Sequence, residues 1–529
     1  MANSTLRQKQ ASGAPVRRGL TGPAHLVLAE ALTRVGRLDE AIDLYEAALQ
    51  SDPADAPTLL ALARALLAAG RAAEAFARAD AALALDVHSV EAWRAVAEAF
   101  DALGETRLAA QAFERALLLA PARGDLHLQL ARLLEALDRP QDAAARYQQA
   151  LRLHSGEAAE IEARVALSGL FGRAGQFAEA RAHAEAALAL QPEARGAHQN
   201  LAAICDHEGR VAEAEAHRER AYRAQPLIVT RTVAPRRRVL TLASAERANS
   251  PDRYLIPTAR YDRLIWFLAY GKGAPERDYD VIFNAFADAD AATAQAPRLE
   301  AFACASGRPL LNPPARIART ARDGAQALFA AIADLAIPQT RRVRVAADLH
   351  GLDAARRWLL RPLGSHGGER VEQLSLAEAA ARLQGRPQYL TAYHDFRSTD
   401  GLYRKYRVFF VDRAPYPYHL AASRDWLVHY QTSLTPTTPE LIAEERRFLE
   451  NPEAALGSPA WAAIGEIGRR MDLDFAGVDF ALLTDGRVLL FEANATMYVH
   501  PEAAEGPLRH KNPFVQRILE AFWARLESA

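Results

Sequence analysis

The feature that most constrains this chain is a repeat. Segments opening at Gly36, Gly70, Gly104, Asp138, Gly175 and Gly209, from GRLDEAIDLYEAALQSDP to GRVAEAEAHRERAYRAQP, follow one another every 34 residues, with a single step of 37. That period fits one helical hairpin, a unit that cannot bury its apolar face alone and must stack on its neighbours. Alanines stand five and twelve residues after each start, such as Ala41 with Ala48 and Ala109 with Ala116, and small side chains there let two helices approach closely. Tyr45, Phe113 and Tyr147 fill the space between helices, while Pro53, Pro121, Pro192 and Pro226 stop the second helix of their repeats.

Six such segments resemble a tetratricopeptide-repeat (TPR) superhelix over residues 21–226, preceded by a tail at 1–20 expected to be disordered. A solenoid of this kind presents a concave groove lined by the first helix of each hairpin. Here those helices offer Arg64, Arg94, Glu98 and Arg132. This mixed set lacks the repeated Asn and Lys pattern with which some relatives grip a C-terminal carboxylate. The resemblance implies a peptide or protein ligand.

A chain of 529 residues is long enough for several domains. With 64 basic against 65 acidic residues it has no overall field to draw nucleic acid or an anionic membrane, so partners are bound locally. Cys205 and Cys304 make no disulfide framework or metal-ligand spacing, which points to a reducing compartment. The N-terminal stretch lacks a signal-peptide core and no run of eighteen apolar residues occurs, so the expectation is a soluble, cytoplasmic protein. Lysine occurs only at Lys9, Lys272, Lys405 and Lys511, a bias of GC-rich bacterial genomes that makes a lysine inside a motif informative.

After Pro226 the helical pattern gives way to β-branched runs, which marks a domain boundary. Arg236, Arg237 and Arg238 read as a solvated strand edge. Beyond them VLTLAS is an expected strand, RYDRLIWFLA a helix, YDVIFNAFAD a strand, GRPLLNPPARIARTARD a strand-like segment and AQALFAAIADL a helix. Such alternation implies parallel crossovers and an α/β domain over residues 227–318.

The chemistry is concentrated in GVDFALLTDGRVLLFEANAT. Asp485-Gly486 is a strong two-residue hairpin signal. With those residues as the loop, Thr484 pairs with Arg487 and Asp479 lies opposite Glu492, with Asn494 two residues along the same face. Ala481, Leu483, Val488 and Leu490 complete that face in this register. Like charges directly opposed across a strand pair are destabilising unless a cation sits between them. An oxygen-only ligand set of this size suits Mg²⁺.

An Asp in one strand and a Glu-x-Asn at the end of the next is similar to the metal-binding hairpin of ATP-grasp enzymes of the glutathione synthetase type, and the likeness covers about residues 231–529, with the ATP-grasp domain at 319–529. The fold class it implies is multidomain α and α/β: an all-α TPR solenoid followed by an α/β (α+β) ATP-grasp fold. By that resemblance Asp479, Glu492 and Asn494 hold the magnesium ions that bridge the phosphates of ATP. The resemblance implies that the glycine-bearing loop Gly364, Ser365, His366, Gly367 and Gly368, whose backbone N–H groups can approach phosphate oxygens, binds phosphate. Arg361 stands where most relatives carry a lysine, and the family's other phosphate lysine has no match near Arg319, Arg322 and Asp323. Ala392, Tyr393 and His394 map to the hinge that reads adenine, and Arg407 with Lys405 to the phosphate-facing catalytic strand.

The implied activity is ATP-dependent ligation, in which a substrate carboxylate becomes an acyl phosphate that an amine or another nucleophile captures, giving ADP and phosphate. A phosphotransferase on the same fold and a non-catalytic TPR adaptor with a vestigial nucleotide domain are the alternatives. His419 and His429, set among aromatic residues, read as packed core histidines and are left out of the catalytic set.

Overall fold

Every repeat turns on a residue with left-handed backbone. In the computed structural model, which describes residues 22–529 except 154–155, 233, 246–251, 272–274, 276–277, 288, 364–370, 431 and 504, the five glycine starts have φ between +75° and +81° and Asp138 has φ +57°. This conformation ends a helix in a tight turn and favours glycine or a short polar residue. At the first turn the Arg37 N–H reaches back to the Leu32 carbonyl at 2.9 Å. Among the described residues twelve helices follow in pairs from Gly22 to Arg223.

The first helices of the hairpins have 13 residues, except Glu157–Arg173 with 17, which absorbs the one long step in the period. The alanines five residues after each start, Ala41, Ala75, Ala109, Ala143, Ala180 and Ala214, are wholly buried. The chain divides into two compact units, residues 1–221 and 222–529. The expected tail at 1–20 lies outside the described residues. No helix among the described residues is long and apolar enough to cross a membrane.

The second unit carries three sheets. The first consists of β1 (Leu227–Thr230), β2 (Arg238–Ala243), β3 (Asp262–Phe267), β4 (Val281–Asn284) and β5 (Leu310–Leu311), in the order β1-β3-β2-β4-β5. Strands β2, β3, β4 and β5 are parallel and β1 is antiparallel to β3. The expected helix at RYDRLIWFLA is therefore strand β3, and its alternation of buried and half-buried residues is the period-two pattern of a sheet. The strand-like GRPLLNPP segment shrinks to the two-residue β5, because Pro313 and Pro314 lead into the short helix Pro314–Ala318.

Strand β6 (Leu335–Ala336) joins the third sheet, whereas β7 (Thr340–Val343), β8 (Trp358–Pro362), β9 (Glu372–Leu374) and β10 (Gln388–Ala392) form the second, antiparallel sheet in the order β7-β10-β8-β9. The third comprises β11 (Tyr403–Val411), β12 (Ala414–Ser423), β13 (Phe475–Leu482) and β14 (Val488–Asn494), in the order β12-β11-β13-β14-β6. One face of this sheet is covered by the helix Ser458–Met471, whose Ile464, Ile467 and Met471 pack with Val408, Phe410, Val478 and Phe480.

The β13–β14 hairpin places Asp479 opposite Glu492, as expected, but by two offsets that cancel. The turn is longer than the two-residue loop expected: the Leu483 N–H donates to Arg487 O at 2.9 Å and the Gly486 N–H to Leu483 O at 2.9 Å, with Gly486 at φ +85°. Next to it Leu482 pairs with Val488 and Phe480 with Leu490; a bulge at Phe491 then restores the register at Asp479. The bulge also corrects the expected face. Ala481 packs with Leu489, Leu483 and Phe491 in one cluster, while Val488 and Leu490 turn to the helix-covered side.

A testable consequence concerns the repeat. Replacing the wholly buried Ala109 by Leu overpacks the helix crossing and should cost about 1–3 kcal/mol, read by urea denaturation of the full chain. An Ala109→Leu chain as stable as the parent would contradict the close helix approach.

Candidate active site

The second and third sheets enclose a cleft of about 210 Å³. Its polar wall is built by sheet register. Arg407 on β11 is directly opposite Asp479 on β13, which is directly opposite Glu492 on β14, so three charged side chains lie in one row across three strands. Bulges flank that row on both sides, at Tyr418 between β11 and β12 and at Phe491 in β14. Such an extra residue bends the strand and re-aims its neighbours.

The half-buried Arg407 guanidinium holds Asp479 in a fork, donating from Nε to Oδ1 at 2.6 Å and from Nη2 to Oδ2 at 2.8 Å. The Lys405 ammonium stands 3.4 Å from Asp479 Oδ2. Arg322, borne on the turn after the helix Pro314–Ala318, pairs with Glu492 and also donates to the Phe491 carbonyl at 3.2 Å. Burial pushes the Glu492 carboxyl up, but Arg322, Arg361, Lys405 and Arg407 outweigh it and hold the group well below its ordinary value of 4.5. Burial disfavours the Arg407 charge, yet Asp479 keeps it firmly protonated. The opposed acids are thus already screened by the protein's own cations, and the expectation that they need an external ion to coexist is corrected.

Of the residues singled out by the sequence, Arg361, Ala392, Tyr393, His394, Lys405, Arg407, Asp479, Glu492 and Asn494 all line this one cleft. Gly364, Ser365, His366, Gly367 and Gly368 lie outside the described residues. Ala392 ends β10, with its N–H donating to Gln339 O at 2.8 Å, and Tyr393 meets the Trp426 ring edge-on at 5.8 Å. Burial depresses the His394 imidazole, which favours its neutral form. Phe396, Trp426, Leu489 and Phe491 add apolar walls.

Among the described residues no three His, Cys, Asp or Glu side chains cluster as a metal site. The carboxylates of Asp479 and Glu492 and the amide oxygen of Asn494, all lining the cleft, are oxygen donors of the type Mg²⁺ takes alongside water and phosphate oxygens. Arg322 is the main residue that sequence reasoning missed. In the sequence it stands only as a mismatch to a family lysine, because nothing there brings that turn beside β14. His429 lines the cleft, while His419, opposite Arg407, is buried with neither ring nitrogen hydrogen-bonded. Behind it Lys511 is fully buried against Glu502 (2.6 Å) and Tyr430 (2.8 Å).

In the first unit three of the four expected groove residues, Arg94, Glu98 and Arg132, are ion-paired within the unit, while Arg64 donates to the Leu60 carbonyl at 3.3 Å. Arg94 pairs with Glu91 at 2.7 Å and Glu98 at 3.3 Å, and Arg132 pairs with Glu162. Tetratricopeptide-repeat family models match residues 23–99 and 170–227. The N-terminal unit is built of tetratricopeptide repeats. Repeats of this kind imply a protein-binding role. Similar solved structures include TTC0263, a thermophilic TPR protein of Thermus thermophilus, at 27% identity over 37% of this chain and 100% of that one, TM-score 0.29. YrrB, a TPR protein with an unusual peptide-binding site, is 24% identical over 34% of this chain and 92% of that one, TM-score 0.31. PilF of Pseudomonas aeruginosa is 17% identical over 39% and 92%, TM-score 0.35. No curated protein matches the chain.

Two outcomes test the charge row. Arg407→Leu leaves Asp479 buried without its fork and should cost about 3 kcal/mol or more, most of it recovered by adding Asp479→Asn, as measured by chemical denaturation. Glu492→Gln should lower stability at neutral pH. Because the folded-state value of Glu492 is depressed from 4.5, its contribution is present above that pH and is lost as pH falls. The gap in melting temperature between parent and variant should therefore narrow below about pH 4.5; a gap constant down to pH 3 would contradict the assignment.

Proposed function

We propose that the second unit is an ATP-grasp-type ligase that uses ATP to activate a substrate carboxylate as an acyl phosphate for capture by an amine or other nucleophile, while the TPR unit binds a peptide or protein. The observation that carries this reading is the row Arg407, Asp479 and Glu492 beside Asn494, Lys405 and Arg361 in one cleft. Among the described residues four cations, Arg322, Arg361, Lys405 and Arg407, line the cleft with two carboxylates. That surplus of positive charge suits a polyphosphate.

In this reading Asp479, Glu492 and Asn494 hold Mg²⁺, which supplies neutralisation of the triphosphate. Ala392, Tyr393 and His394 flank adenine against apolar walls. Arg361 binds phosphate oxygens, and Lys405 and Arg407 stabilise the charge that develops on the transferred phosphoryl group. The apolar walls exclude water, which strengthens each of these interactions and protects an acyl phosphate from hydrolysis.

The test is product analysis. With full-length protein, Mg·ATP, a panel of carboxylic acids and hydroxylamine, the reading predicts a hydroxamate together with equimolar ADP and phosphate. AMP with pyrophosphate would indicate adenylation. A stable phosphorylated product with no ligated partner would indicate a phosphotransferase. If no acid supports turnover while peptides bind the first unit, the adaptor reading replaces the ligase.

A further inference from the structure

The cleft holds each carboxylate with a cation of its own, and the two pairs are built differently. Arg407 and Asp479 sit on adjacent strands in register, joined by a two-point fork. Arg322 reaches Glu492 from a turn outside the sheet, and both side chains of that pair keep about a fifth of their surface exposed, 20% and 18%. Both members of the first pair are held by the strand ladder, whereas Arg322 is carried by a turn that no strand pairing holds.

We propose that Arg322 has two alternative partners, the Glu492 carboxylate and the phosphate oxygens of a polyphosphate ligand, and that Glu492 keeps it from phosphate until a divalent cation takes over the carboxylate. This rests on the nucleotide reading above and deepens it. Without metal, a polyphosphate entering the cleft competes with Glu492 for the Arg322 guanidinium. When Asp479 and Glu492 are engaged by a divalent cation, Arg322 is released to phosphate at no loss of pairing for the carboxylate. Metal and polyphosphate then favour one another by linkage, and the coupling is reciprocal. No bond is made or broken; one charge-assisted pair replaces another.

The experiment is a double-mutant cycle on the full chain, read by calorimetric titration with inorganic tripolyphosphate in excess chelator, so that neither metal nor turnover enters. The parent should bind weakly and Glu492→Gln about tenfold more tightly, the effect of one freed charge-assisted pair. Arg322→Gln should weaken binding modestly in the parent and at least fivefold more in the Glu492→Gln background, because only there is Arg322 free to reach phosphate. Equal losses in both backgrounds would mean that Arg322 acts only as a distant charge, and would overturn the exchange. Should Glu492→Gln fail to fold by circular dichroism, Glu492→Met gives the same comparison. A parent that binds Mg·ATP but shows no coupling in the cycle refutes the exchange alone; a parent that binds neither Mg·ATP nor tripolyphosphate refutes the nucleotide reading and the exchange with it.

Discussion

A guanidinium and a carboxylate withdrawn from water in the middle of a sheet set the terms for everything around them. Removing two charges from water costs several kcal/mol each, and only close, two-point geometry offsets it. Arg407 and Asp479 meet that condition because β11 and β13 pair in a register that places them opposite, with both fork distances below 3 Å. The two bulges border this pair. They turn the polar row toward the cleft while the next residues, Val408 and Phe480, return to the helix-covered core. Glu492, Lys405 and Arg322 then assemble around a pair that the fold already requires.

Much of this is legible in the sequence, for identifiable reasons. The repeat is readable because each hairpin needs a left-handed residue and a wholly buried alanine at fixed offsets, and both leave a letter in the sequence. The hairpin is readable because Asp485-Gly486 sits between two apolar runs. What escapes is geometry without a letter. A bulge at Phe491 looks like any strand residue, so a two-residue loop falls short of the real turn, and the error vanishes only because the bulge restores the register. The segment RYDRLIWFLA has apolar residues at spacings compatible with a helix, but β1 and β2 claim both of its edges. Arg322 escapes because its role depends on a contact 170 residues away.

The same physics connects the two halves of the functional reading. The TPR unit is a stack of near-identical crossings in which alanine permits close approach, an architecture for presenting an extended surface rather than for chemistry. Its groove charges pair internally, as Arg94 does with Glu91 and Glu98. The second unit concentrates unlike charges in an enclosed space, where each interaction is stronger than at a surface. One chain thus carries a repeat surface of the protein-binding kind and, in its other unit, a charge-rich cleft.

The central proposal is that Asp479, Glu492 and Asn494 hold a divalent cation together with a nucleotide. The most direct measurement is electron paramagnetic resonance of Mn²⁺ titrated into full-length protein with a non-hydrolysable ATP analogue. The account predicts saturable Mn²⁺ binding that requires the analogue and disappears in Asp479→Asn while the protein stays folded. Mn²⁺ binding that ignores the analogue, or that survives in Asp479→Asn, would contradict it.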